Sequence, residues 1–250
     1  MYKIQKRGKT YHLLVNGRVL RTPGGAIISS SKRALFLRII ADFDGQPSIE
    51  ESNGIILSPR VHSAYLLAST QIDFVDKGDH PFRSIRPHII NDPIFNTAGH
   101  PHIYMFQVAT YQKALEFLRK AGIEVRALHP LDRVHQEGLE LVISTLVNGL
   151  TNPEMSVLIN LHTIHGGHFI YPLLLMKKEC TSKEYARAVF AGSPDVVRIT
   201  GQRPIGAFLS VPAEEDEKEE KNEIDKIVRS YQEDAQIALR YINLMANEVT

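Results

Sequence analysis

The chain has 250 residues, with 29 Lys and Arg against 28 Asp and Glu, and a formal net charge of +1. Its overall charge therefore provides no case for binding nucleic acid or a membrane surface. The single cysteine, Cys180, excludes an internal disulfide and a cysteine metal cage. No apolar run approaches the roughly twenty residues needed to cross a bilayer. A hydrophobic content of 43% is typical of a soluble globular protein with one or two domains.

The first predicted elements form a β-hairpin. Residues 10–15 have the composition of a strand, and Asn16-Gly17 is the dipeptide preferred by a type I′ turn, because both residues tolerate positive φ. Residues 18–21 return as a second strand. A turn at residues 22–25 then leads to a third short strand at residues 26–29. Three strands in so short a segment predict an antiparallel sheet that needs cover on one face.

Two helices are predicted to cover that sheet. The first begins after Ser30 or Ser31 and ends at Gly45. The second begins at Ser58-Pro59, with Ser as the N-cap and Pro at the first helical position. Its apolar residues from Val61 to Val75 recur in steps of four and three, which is one helical stripe.

The rest of the chain is predicted to be helical. A proline-rich connection at residues 78–101 leads into it, and Thr181 with Glu184 has the spacing of a capping box. The predicted fold is α+β, with an N-terminal antiparallel β-sheet domain and its covering helices over residues 1–86. An all-α helical domain follows over residues 87–250. Among the predicted apolar stripes are Tyr104, Val108, Tyr111, Leu115 and Leu118 in one helix, and Ile224, Ile227, Val228, Tyr231, Ala235, Ala238, Ile242 and Met245 in the last.

Several short motifs occur in a definite order along the chain. They are Asn16-Gly17-Arg18, Arg21-Thr22-Pro23, residues 41–46, residues 56–60, Gln71-Ile72-Asp73, residues 152–167, residues 181–186 and residues 231–235. In order and spacing they resemble the ATP synthase assembly factor twelve family, which are chaperones of the alpha subunit of the catalytic head. The resemblance covers nearly all of the chain. Two features depart from the family pattern: Phe43 replaces a Trp, and residues 192–221 have the character of an insertion.

The resemblance implies an assembly chaperone that binds the unassembled alpha subunit of the F-type ATP synthase, prevents its aggregation and hands it to the beta subunit. It implies no catalytic residue, no metal and no cofactor. We expect a monomer in the mitochondrial matrix or the bacterial cytoplasm, without nucleic-acid binding or membrane insertion; no transit sequence is visible at the start of the chain. The contact surface is expected on the helical half, at Tyr231, Glu233 and Asp234, with Glu223 and Asp225 nearest to an acidic pair of the family.

Two alternatives remain open from the sequence. His162, His165 and His168 have a spacing of three, and histidine is a common zinc ligand, so a metal-dependent enzyme is one hypothesis. Against it, Gly166-Gly167 is expected to break the helix, and no carboxylate lies at a zinc-protease spacing. The second alternative keeps the fold and changes the protein client.

Overall fold

The computed structural model describes residues 2–44, 51–52, 54–56, 63–96, 101–200 and 214–246. By its contacts the chain divides into two units. Unit 1 comprises residues 1–83, 150–160 and 236–250, and unit 2 comprises residues 84–149 and 161–235. An N-terminal antiparallel sheet followed by a mostly helical region confirms the predicted α+β class. The predicted domain boundary at residue 86 stays a prediction. The contacts also assign two later segments, residues 150–160 and 236–250, to unit 1.

Unit 1 contains a four-stranded antiparallel sheet in which β2 is central. The first strand, which the sequence analysis missed, pairs with β2 along its full length, with Arg7 opposite Thr10. Asn16 and Gly17 have φ of +50° and +83°, which confirms the predicted turn. The strands are β1 (Tyr2–Arg7), β2 (Thr10–Val15), β3 (Arg18–Val19) and β4 (Ser29–Ser30), with a separate pair, β5 (Glu51–Ser52) and β6 (Ile55–Ile56).

Two helices of unit 1 follow the sheet. Helix α1 (Arg33–Asp44) packs against β1 and β2 through its buried face. Helix α2 (Ala64–Thr70) begins after Ser63, whose hydroxyl accepts the N–H of Leu66. The chain then continues as a π-helix, Gln71–Val75. The predicted helix end at Gly45 and the predicted start at Ser58-Pro59 lie outside the described residues; the N-cap of the helix that is described is Ser63.

The helices of the remaining chain follow the predicted pattern with local differences. The capping box at Thr181 and Glu184 is confirmed. The predicted stripe on α4 is wrong at its start, because Tyr104 is exposed, whereas Gln107 is buried and donates to the carbonyl of Ala191. The helices are α3 (Arg86–Ile90), α4 (Pro101–Lys120), α5 (Arg133–Asn148), α6 (Asn152–Ile164), α7 (Ile170–Met176), α8 (Ser182–Gly192), α9 (Pro194–Thr200) and α10 (Glu214–Ala246).

The segment expected to be an insertion contains helix α9, which the sequence analysis did not predict. Within unit 2 its Val196 is buried in an apolar cluster with Ile103 and Phe190. The apolar side of α10, including Ile227, packs against that cluster. None of the helices in the described ranges has the length and apolar character needed to cross a membrane.

Candidate partner-binding groove

A groove of about 790 Å³ lies on unit 2 between helices α4, α8 and α10. Each helix contributes residues spaced three or four positions apart, which places them on one face. On α8, Lys183, Arg187 and Phe190 form such a stripe. The apolar lining of the groove consists of Phe106, Ala109, Tyr171, Phe190, Ile224 and Val228.

The charged lining of the groove is predominantly basic. Lys113 and Glu184 form an ion pair at 3.3 Å. In the part of the chain that the structure describes, Lys183, Arg187 and Arg229 make no ion pair with a carboxylate, although all three are exposed. The groove therefore presents three cations that are available to a partner, beside an apolar floor.

The apolar surface extends beyond the groove along α4. Phe106 is 41% exposed and Met105 is 67% exposed. Adjacent exposed apolar side chains of this size mark interaction sites more often than isolated ones do. A helical wall that is apolar at its base and basic at its rim suits a polypeptide better than a small polar metabolite.

Two of the predicted contact residues, Tyr231 and Asp234, are half-buried and turned towards His165. The ring of Tyr231 lies edge-on to that imidazole, with centroids 5.0 Å apart, and its hydroxyl donates to Asp195 Oδ2 at 3.3 Å. Asp234 Oδ2 lies 3.1 Å from His165 Nε2. The structure thus places these two side chains in a polar network inside unit 2.

The other three predicted contact residues are exposed. Glu223 forms an ion pair with Arg198 at 2.8 Å. Glu233 lies between Tyr231 and Asp234 in the sequence of α10, but its side chain is exposed. Asp225 alone among the five lines the groove. The role of all five in partner binding stays a prediction.

The network around His165 is closed to solvent at its far end. Tyr185 is fully buried, and its hydroxyl lies 2.6 Å from His165 Nδ1. Burial, with a contribution from the Asp234 charge, raises the pKa of Tyr185 well above its ordinary value. A neutral Tyr185 donates its hydroxyl hydrogen to Nδ1 of His165. The hydrogen of the imidazole is therefore on Nε2, where the carboxylate of Asp234 accepts it. Because Tyr185 and His165 are both buried, these hydrogen bonds contribute to the stability of the fold.

The two other histidines of the triplet have different surroundings. His162 Nε2 lies 2.9 Å from His88 Nδ1, and burial lowers the pKa of His162. His168 is fully buried, which lowers its pKa to about 3 and keeps the ring neutral. Within the described ranges, no group of three or more His, Cys, Asp or Glu side chains is arranged to hold a metal ion.

Sequence reasoning missed the most buried carboxylate of unit 2. Asp92 accepts the backbone N–H groups of Ile94, Phe169 and Ile170 at 2.9, 2.7 and 2.8 Å. Burial raises its pKa to about 6 in spite of these bonds. The Asp92-Pro93 dipeptide has the form of a cap followed by proline, and this was the signal that could have identified it.

No family model and no curated protein matches this chain. Among solved structures it is similar to Atp12 of Paracoccus denitrificans, at 16% identity over 97% of this chain and 95% of that chain, with a TM-score of 0.56. A point mutant of the same protein gives 15% identity, 97% and 94% coverage and the same TM-score. An Agrobacterium tumefaciens protein for which a chaperone role has been suggested matches at 17% identity, 95% and 84% coverage and TM-score 0.56. The chain therefore has the Atp12 fold over nearly its whole length.

Proposed function

We propose that this protein is an assembly chaperone, without catalytic activity, that binds the unassembled alpha subunit of the F-type ATP synthase. The observation that carries the proposal is the Atp12 fold over 97% of the chain, together with the ordered motifs of the sequence. An isolated subunit exposes the apolar face meant for its neighbour, and such a face aggregates unless it is covered. The chaperone holds that face until the beta subunit replaces it.

The chemistry of the groove supports the binding of a polypeptide, because its lining combines apolar side chains with exposed cations. Among the described residues that line it there is no histidine, serine or cysteine. The single thiol, Cys180, is buried, and burial raises its pKa to about 12, so it is protonated at neutral pH. His165 does not line the groove: its two ring nitrogens contact the hydroxyl of Tyr185 and the carboxylate of Asp234 inside the fold.

The proposal places the protein in the mitochondrial matrix or the bacterial cytoplasm, as a monomer that needs no cofactor. Client binding uses unit 2, through the groove and the neighbouring part of α10, which includes the predicted contact residues Glu223, Asp225 and Glu233. Tyr231 and Asp234 support that surface from inside, through His165.

Co-expression with the alpha subunit of the same organism tests the proposal. We expect alpha to become soluble and to co-purify with the chaperone, and added beta subunit to displace the chaperone. Ala109→Glu, which places a charge at an exposed position of the groove lining, is expected to abolish the complex. Leu141→Glu is the matched control, because Leu141 is 71% exposed on α5 and does not line the groove.

Insoluble alpha and no complex, with both proteins well expressed, would overturn the choice of client. The Atp12 fold would stand, and the same co-expression design would then be applied to other subunits that assemble into oligomers.

A further inference from the structure

We propose that the groove recognises an amphipathic client segment in which apolar side chains are flanked by carboxylates. The inference rests on the proposed chaperone function and adds the chemistry of the client segment. Its basis is the combination, in one groove, of an apolar floor with cations that have no partner within the described residues.

The balance of charge in the groove favours an acidic partner. Four cations line it, Lys113, Lys183, Arg187 and Arg229, against two carboxylates, Glu184 and Asp225. Glu184 is already engaged, because it pairs with Lys113 and accepts the N–H and hydroxyl of Thr181. Asp225 is the one carboxylate of the described lining that makes no ion pair, against three such cations.

The cations lie on two walls of the groove. Lys183 and Arg187 are one turn apart on α8, and Arg229 lies on α10. Phe106 and Val228 belong to the apolar surface that the same groove exposes. A segment with apolar side chains in the middle and carboxylates at its margins satisfies both surfaces at once. Burial of the apolar side chains supplies affinity, and the charge pairs supply orientation and discrimination.

The apolar floor also distinguishes a polypeptide from a nucleic acid. A phosphate backbone requires a continuous basic surface and gains nothing from Phe106, Phe190 or Val228. Asp225 and Glu184 would repel it. A basic segment would face three cations that make no ion pair among the residues the structure describes, and like charges brought together at an interface oppose binding.

Two designed peptides test this with the full chain. Both are amphipathic helices of about 18 residues, or five turns, with the same leucine and phenylalanine face. One is flanked by glutamates and the other by lysines. We expect fluorescence anisotropy at low salt to show the glutamate peptide binding at least about tenfold more tightly than the lysine peptide, with the difference reduced by added salt.

Reversal of charge on the protein makes the test specific to the groove. The double variant Arg187→Glu with Arg229→Glu is expected to reverse the preference and bind the lysine peptide more tightly. The matched control is Arg119→Glu with Lys120→Glu, two exposed cations at the end of α4 that do not line the groove. The control is expected to retain the preference of the wild type.

Equal binding of the two peptides, binding of neither, or a preference unaffected by the double variant would overturn the inference. Its failure differs from failure of the chaperone function. If alpha is solubilised equally by the wild type and by the Arg187→Glu/Arg229→Glu variant, the chaperone function stands and the groove is not the site. If the peptide preference holds but alpha is not bound, the groove recognition stands and the client is another protein.

Discussion

Helix α10 presents two kinds of polar surface within unit 2. On one side Tyr231 and Asp234 turn towards His165, and their polar atoms already have partners in the fold. On the other side Asp225 and Arg229 line an open groove, and neither makes an ion pair within the described residues. Side chains whose partners lie inside the fold stabilise it, and side chains without such partners can be changed at little cost to folding. The two sides of one helix should therefore respond in opposite ways to mutation.

The largest effect is expected at the most enclosed polar group of unit 2. Asp92→Ala leaves three buried backbone donors without an acceptor, since the carboxylate serves Ile94, Phe169 and Ile170. The free energy of unfolding should fall by about 3 kcal/mol or more, because each of the three unsatisfied buried donors costs about 1–3 kcal/mol. Urea denaturation followed by circular dichroism measures it.

Asp132→Ala is the control for that experiment. Asp132 caps α5 through one backbone bond to His135 and is exposed. Its loss should cost about 1 kcal/mol, the ordinary value of a surface N-cap. Similar losses for Asp92→Ala and Asp132→Ala would show that burial adds nothing to the role of Asp92.

The next effect concerns the inward side of α10. His165→Ala removes the partner of both Tyr185 and Asp234 and leaves a space between them. We expect a loss of about 2–3 kcal/mol in the free energy of unfolding, and a smaller loss for Asp234→Asn. Client binding by folded Asp234→Asn should match the wild type. If Asp234→Asn abolishes binding at unchanged stability, Asp234 contacts the client directly, as the sequence analysis predicted.

Much of the local structure was predictable because its causes lie within a few residues. The turn at Asn16-Gly17 and the capping box at Thr181 and Glu184 depend on neighbouring backbone groups, and both are confirmed. Strand β1 was missed because only Tyr2 and Ile4 are apolar and the strand ends in Lys6-Arg7, so its alternation is too short to identify it. Its pairing with β2 is decided by tertiary structure.

The polar sites were less predictable than the helices that contain them. Helical spacing identifies a face of α10, but it does not say which face meets His165 and which meets the groove. That depends on α8 and on helix α9, whose Val196 packs in the cluster that α10 covers. Asp92 gave only a weak signal, because the N–H groups that it binds at Phe169 and Ile170 are more than seventy positions away.

Two buried groups of unit 2, His168 and Asp92, should make its stability depend on pH in opposite directions. The folded pKa of His168, about 3, lies below its unfolded value, so acid favours the unfolded state as the pH falls below about 6.5. The neighbouring charges of His162 and His165 act in the same direction. Asp92 opposes this, because its folded pKa, about 6, lies above its unfolded value, and its protonation favours the folded state.

The variant Asp92→Asn removes the opposing contribution of Asp92. Between pH 8 and pH 5 its free energy of unfolding should fall by about 2 kcal/mol through His168. In the wild type the fall should be about 1 kcal/mol smaller, because protonation of Asp92 compensates. Denaturation curves at several pH values measure both slopes. Parallel pH profiles for the two proteins would mean that Asp92 does not titrate in this range.

The smallest effect on stability is expected on the groove side of α10. Arg229→Glu, alone or with Arg187→Glu, breaks no ion pair within the described residues. The free energy of unfolding should therefore remain within about 0.5 kcal/mol of the wild type, as for other surface changes away from special features. A loss as large as that of His165→Ala would show that these arginines already serve the fold. A stable variant that has lost its client would instead demonstrate that one helix keeps its internal and its partner-binding functions on separate faces.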